Sequence, residues 1–178
     1  DEGATSFKAY MHITRAELRA AIDEAHRRGL KVTGHLCSVT YGEAAELGID
    51  DLEHGFMAST NFVTDKKPDV CPGQTTGQRT IAGLDEKSEA FTSLVRKLVD
   101  KHVALTSTLT VFETFTPNRP TPPGLDVLLP ELREQFEQAH QRIVSNAQSV
   151  YGTLFPKGMA LERAFARAGG LLIAGTDP

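Results

Sequence analysis

The stretch ITRAELRAAIDEAHRRGLKVTGH, residues 13–35, carries most of the reading that decides the fold. Thr14 and Glu17 have the S/T-x-x-E spacing of a capping box, in which each side chain satisfies a backbone N–H that the first helical turn leaves unpaired. Leu18, Ala21, Ile22 and Ala25 then recur on one helical face, and Gly29 supplies a stop, so the spacing predicts a helix over about residues 15–28. LKVTGH follows at once as a strand of about residues 30–35, and it ends on an imidazole, His35. A helix passing straight into a buried strand is half of a βα unit.

The same rhythm extends in both directions. Upstream, ATSFKAY (residues 4–10) reads as a strand. Downstream, Thr40 and Glu43 form a second capping box opening a short helix that closes at Gly48, and DDLEHGF (residues 50–56) is the next strand. Residues 59–87 lack an apolar period and read as a long loop. A helix over about residues 88–101, marked by Phe91, Leu94, Val95, Leu98 and Val99, precedes the strand VALTSTLTV (residues 103–111). Four prolines in TPNRPTPPG make residues 112–130 a second irregular stretch, ahead of a long helix through Leu132, Phe136, Ala139, Ile143 and Ala147. A shorter helix around Leu161–Ala168 and a final strand LLIAG complete the pattern.

Strands alternating with helices predict a parallel α/β sheet. Five such units suit either an open doubly wound sheet or part of a (β/α)8 TIM barrel, and a whole barrel takes roughly 200 residues or more. With no initiating Met and both ends lying beside strands, the 178 residues are expected to be a partial barrel domain lacking three strands and a C-terminal remainder.

Composition excludes several functions. The apolar share of 40% is enough for a core, and no apolar run approaches the roughly 20 residues of a membrane-spanning helix. With 19 basic against 23 acidic residues and no basic tract interleaved with aromatics, neither a nucleic acid nor a membrane is an expected partner. A small-molecule substrate is, and a homo-oligomer of the parent protein stays open. Cys37 and Cys71 are too few for a disulfide scaffold and lack a CxxC spacing, and Cys37 reads as a small buried residue. There is no GxSxG elbow, P-loop or GxGxxG.

In both parallel architectures ligands bind at the carboxyl ends of the strands. Those ends carry His35, His54 and Asp177, with Lys8 inside SFKAY. Two imidazoles and a carboxylate are a donor set for a divalent metal, zinc first, with manganese or iron as alternatives. A strand lysine must lose its charge or find a partner, because an unpaired buried ammonium is costly. For Lys8 both outcomes are open: a carbamate formed on the neutral amine, or an ammonium paired with Asp or Glu.

SFKAY, TGH, LEHG and AGTD, with their polar residues separated by 27, 19 and 123 positions, resemble strands 4, 5, 6 and 8 of the metal-dependent amidohydrolase superfamily. The segment 13–35 is similar to its imidazolonepropionase-like and Xaa-Pro dipeptidase-like members. The resemblance implies a hydrolase of amide-type carbon–nitrogen bonds with one or two metal ions. Lys8 would be a carbamylated bridging lysine, His35 and His54 metal ligands, and Asp177 both a ligand and the proton shuttle for a metal-activated hydroxide. The family's His-x-His pair, borne on strand 1, is not in this sequence.

Other residues have plainer readings. His26 and His140 sit on charged helices, His102 closes a helix, and His12 reads as a loop residue. Glu53 neighbours His54, so strand alternation points it to the opposite face. Thr106, Ser107 and Thr108 either line the barrel mouth or are satisfied locally. Asp177 has an alternative as an N-cap. A non-catalytic α/β module binding a small ligand remains the alternative for the whole chain.

Overall fold

A computed structural model describes residues 3–177, apart from the side chain of residue 74. The first capping box is present in full: Thr14 Oγ1 accepts from the Glu17 amide at 3.2 Å, and the Thr14 amide donates to Glu17 Oε2 at 2.8 Å. It opens α1 (Arg15–Arg27), whose buried face is Leu18, Ile22 and Ala25. The second box opens α2 (Tyr41–Leu47), closed by Gly48 in the left-handed region at φ 95°.

The strands are β1 (Ser6–Ala9), β2 (Lys31–Gly34), β3 (Asp51–Glu53), β4 (Ala104–Ser107) and β5 (Leu172–Ala174). They form one sheet in the order β1-β2-β3-β4-β5, every pair parallel. A doubly wound sheet reverses its order at a switch point, whereas a barrel adds each strand beside the last. The order here is of the second kind, so the fold is a barrel-like α/β arrangement of five strands.

Register divides the strand residues between two faces. Lys8 lies opposite Thr33, Thr33 opposite Asp51, and Glu53 opposite Thr106, so one face is polar. Val32, Leu52 and Leu105 belong to the other face, which packs under the helices and is 0–1% exposed. Between α2, α4 (Glu89–Asp100) and α7 (Tyr151–Arg167) the core closes around Phe56, whose ring meets Tyr41 at 6.3 Å, Phe91 at 5.0 Å and Phe165 at 6.1 Å. Burying an aromatic ring of this kind contributes about 2–3 kcal/mol. Phe7 on β1 and Ile173 on β5, the two edge strands, stay 52% and 42% exposed, as does Leu171, at 64%, just before β5. Among the described residues no helix is long and apolar enough to cross a membrane.

The structure corrects the sequence reading at several places. Residues 59–87 contain a helix, α3 (Gln74–Ala82), which has little apolar period of its own and is held by distant contacts. Ile81 is fully buried, and the Gln78 side-chain amide donates to the Tyr151 hydroxyl at 2.9 Å. The strand expected over residues 103–111 stops at Ser107, and α5 (Leu109–Thr114) follows because Phe112 turns inward to stack on Tyr151 at 6.2 Å. The long helix α6 spans Pro130–Val144, and α7 starts ten residues before the expected Leu161, running through Pro156. Cys37 is buried but joined to Cys71 in a disulfide, with Cα atoms 4.9 Å apart, so the chain after β2 is tied to the 59–87 segment.

Candidate active site

The four residues singled out by sequence all lie at the carboxyl end of the sheet. Lys8 projects from β1 and His35 follows β2, its amide donating to the Ala9 carbonyl at 3.1 Å. The His35 and His54 rings meet edge-on, 4.3 Å between centroids. Asp177 follows β5, where the Gly175 amide anchors the segment to the Ser107 carbonyl at 2.7 Å. Its carboxylate lies 4.0 Å from both Lys8 Nζ and His54 Nδ1.

His54 and Asp177 both have left-handed backbones, φ 67° and 48°. Non-glycine residues in this region are uncommon and concentrate at functional sites. At His54 the left-handed turn breaks strand alternation, which is why Glu53 is not on the opposite side. Glu53 shares the polar face with Lys8: Oε2 forms an ion pair with Lys8 Nζ, and Oε1 accepts from the Thr33 hydroxyl at 2.6 Å. The Glu53 carboxylate is thus the nearest charged partner of the Lys8 amine. Burial pulls its pKa down, but hydrogen bonding and charge from Glu53, with Asp177, outweigh burial and hold it above the ordinary lysine value.

The imidazoles are in the opposite condition. Burial, then the neighbouring His54 and the Lys8 charge, push His35 down to about 4. His54, 5% exposed, is also lowered by burial against the opposing pull of Asp177. Both rings are therefore neutral near pH 7, the form that ligates metals. His54 Nδ1 lies 2.9 Å from Thr108 Oγ1, a contact that orients the ring and leaves Nε2 for another partner. From the sequence Thr108 reads either as a mouth residue or as one whose hydroxyl is satisfied locally. Its hydroxyl is satisfied through the candidate site itself.

A cavity of about 450 Å³ opens between Lys8, Glu53, Thr106, Thr108 and Asp177, with Asp51 in its wall and neither His35 nor His54 among its lining residues. Asp51 Oδ2 accepts from the Thr106 hydroxyl at 2.9 Å, while Oδ1 is buried without a partner. Burial raises this carboxyl against the Thr106 hydrogen bond. A second cavity of about 540 Å³, walled by Phe115, Phe136 and Ile143, contains none of the four candidates.

The donor chemistry, two neutral imidazoles beside a carboxylate, suits a zinc-class cation. Among the described residues, however, no three His, Cys, Asp or Glu side chains stand close enough to form a closed ligand set. The remaining histidines lie elsewhere. His26 is not merely solvated, since its Nε2 meets Asp50 Oδ2 at 2.8 Å, and His140 stacks on Phe136 at 5.7 Å. His12 and His102 are exposed.

No family model matches the sequence, and no curated protein does. Solved structures do. Bottromycin amidohydrolase aligns with a TM-score of 0.61 at 22% identity, over 98% of this chain and 38% of that protein. The likeness establishes the fold. Ochratoxinase of A. niger aligns with a TM-score of 0.50 at 15% identity, over 98% and 31%. An uncharacterized protein gives 0.51 at 17% identity, over 98% and 34%. The chain spans about a third of the length of these proteins.

Proposed function

We propose that this chain is part of a metal-dependent hydrolase of carbon–nitrogen bonds in amides, cyclic amides or dipeptides, of the amidohydrolase superfamily's imidazolonepropionase-like and Xaa-Pro dipeptidase-like branch. The observation that carries the reading is the meeting of His35, His54, Asp177 and Lys8 at one end of a parallel sheet. Two of the similar structures are named for amidohydrolase and ochratoxinase activity. The exposed apolar residues on both edge strands, Phe7 and Ile173, fit a sheet continued by further strands, so that the chain would supply strands 4 to 8 of a closed barrel.

His35, His54 and Asp177 would hold the cation, zinc in the first instance, with manganese or iron as alternatives. When bound, such a cation supplies Lewis acidity toward a carbonyl oxygen and lowers the pKa of water toward roughly 7. The protein's own part is separable from this. Burial keeps both imidazoles unprotonated, and Thr108 fixes the orientation of His54. Asp177 accepts a proton from the attacking water and returns it to the leaving nitrogen, a role needing a carboxylate that gains and loses one proton per turnover. Lys8 would contribute as an ammonium paired with Glu53, or as a carbamate once released from it. Substrate choice falls to the 59–87 and 112–130 segments above the strand ends.

Metal analysis and amide-hydrolysis assays of the full-length protein test this. Stoichiometric zinc, manganese or iron is expected, and Asp177→Asn should cut kcat by about 10²- to 10⁴-fold while leaving most of the metal bound. A protein without stoichiometric metal would instead favour a binding module without turnover.

A further inference from the structure

Glu162 is a buried carboxyl, packed against Gly55, that no part of this chemistry uses. It projects from α7, is 3% exposed, and its Oε1 has no hydrogen-bond partner. A buried polar atom left unpaired costs free energy, so its presence in a native core needs a reason other than stability. The carboxyl group lies directly against Gly55, where a Cβ would collide with it.

Gly55 is held on every side. Its amide donates to the Thr106 carbonyl at 2.8 Å. Its carbonyl accepts from the hydroxyl of fully buried Tyr41 at 2.7 Å, and the same hydroxyl donates to the Glu53 carbonyl at 3.1 Å. Glu162 closes the remaining side, over Cα. Gly55 has φ 56° and follows His54 at φ 67°, so two consecutive left-handed residues are clamped between Tyr41, β4 and α7. That double turn carries the His54 ring to Thr108 and to the edge of Phe112, 6.4 Å between centroids.

We propose that Glu162 is a positioning residue for His54, acting through Gly55: its carboxyl fills the space into which the Gly55 peptide would otherwise relax, and so keeps the imidazole at the mouth of the sheet. The role rests on the reading of His54 as a site residue. It differs from ordinary packing in what it controls, which is ring placement in the folded protein.

The test uses the full-length protein with labelled histidine and phenylalanine rings, in wild type, Glu162→Ala and Glu162→Gln, without metal and then titrated with Zn²⁺ alone. In wild type and Glu162→Gln, which keeps the shape, His54–Phe112 ring cross-peaks are expected. In Glu162→Ala they should be lost, and Zn²⁺ affinity should fall about 10- to 100-fold, the range for residues that orient a ligand. Glu162→Asp, with its carboxyl drawn back by one methylene, should show the same loss in part and serves if the alanine variant does not fold. A folded Glu162→Ala or Glu162→Asp protein with wild-type cross-peaks overturns the proposal. If wild type binds no Zn²⁺ but the cross-peaks depend on Glu162, the positioning role stands and the metal-hydrolase reading fails.

Discussion

Glu53 of β3 pairs with Lys8 of β1 across the full width of β2, with the Thr33 hydroxyl between them holding the other carboxylate oxygen. The pair sets the state of the lysine. Partial burial alone would push Lys8 toward the neutral amine, and Glu53 reverses that.

Glu53→Gln should therefore make Lys8 more reactive. Removing the carboxylate leaves burial as the leading influence, so the amine is neutral more often at a given pH. Labelling with an amine-specific reagent at pH 8, read by peptide mass spectrometry, should be several-fold faster at Lys8 than in wild type, because more of the amine is unprotonated. An unchanged rate would show that Glu53 does not govern this amine.

Glu162 makes stability depend on pH. Burial raises its carboxyl to about 7 against the opposing Ser107 side chain, from an ordinary value of 4.5. A group raised in the folded state contributes stability that is complete below its unfolded pKa and lost as pH rises through the folded one. Between about pH 4.5 and 7 the protein should lose roughly 3 kcal/mol from this source. Glu162→Gln, which carries no proton to lose, should flatten that slope in denaturant titrations at pH 5 and pH 8.

His35 has the opposite sign. With its pKa lowered from 6.5 to about 4, chiefly by burial, its contribution is present above pH 6.5 and is lost as pH falls toward 4. The ring-proton resonance of His35 in metal-free protein should stay in its neutral position at pH 5.5, below the ordinary histidine midpoint of 6.5. A His35 midpoint near 6.5 would remove the basis for a preformed neutral ligand.

The Cys37–Cys71 disulfide closes a loop with a sequence separation of 34 beside His35. The chain-entropy relation assigns such a loop about 4 kcal/mol. Cys71→Ser, or reduction of the wild type, should lower the unfolding midpoint accordingly. Thermal melts with and without reductant check this, and in Cys71→Ser the reductant should have no further effect.

Much of the architecture was legible along the chain because its signals are local. The two capping boxes at Thr14 and Thr40 involve residues three apart, and the faces of α1 and α4 repeat every helical turn. Polar residues at the ends of apolar runs brought Lys8, His35, His54 and Asp177 into view for the same reason. α3 was missed because Gln78 and Ile81 are held by contacts distant in sequence, and α5 because a run of threonines and β-branched residues favours strand until Phe112 finds Tyr151.

By itself the sequence determined the succession of the five strands, the parallel α/β class and which polar residues stand at the strand ends. Those follow from periodicity, caps and composition. Only the tertiary structure decided that the strands add in unbroken order, that Glu53 faces Lys8, that Thr108 meets His54, and that Glu162 lies beneath Gly55. The physical reason is common to the last three. The left-handed turn at His54 and Gly55 is held by Tyr41 and Thr106 and packed by Glu162, from three other elements, and no local pattern encodes a backbone conformation held from so far away.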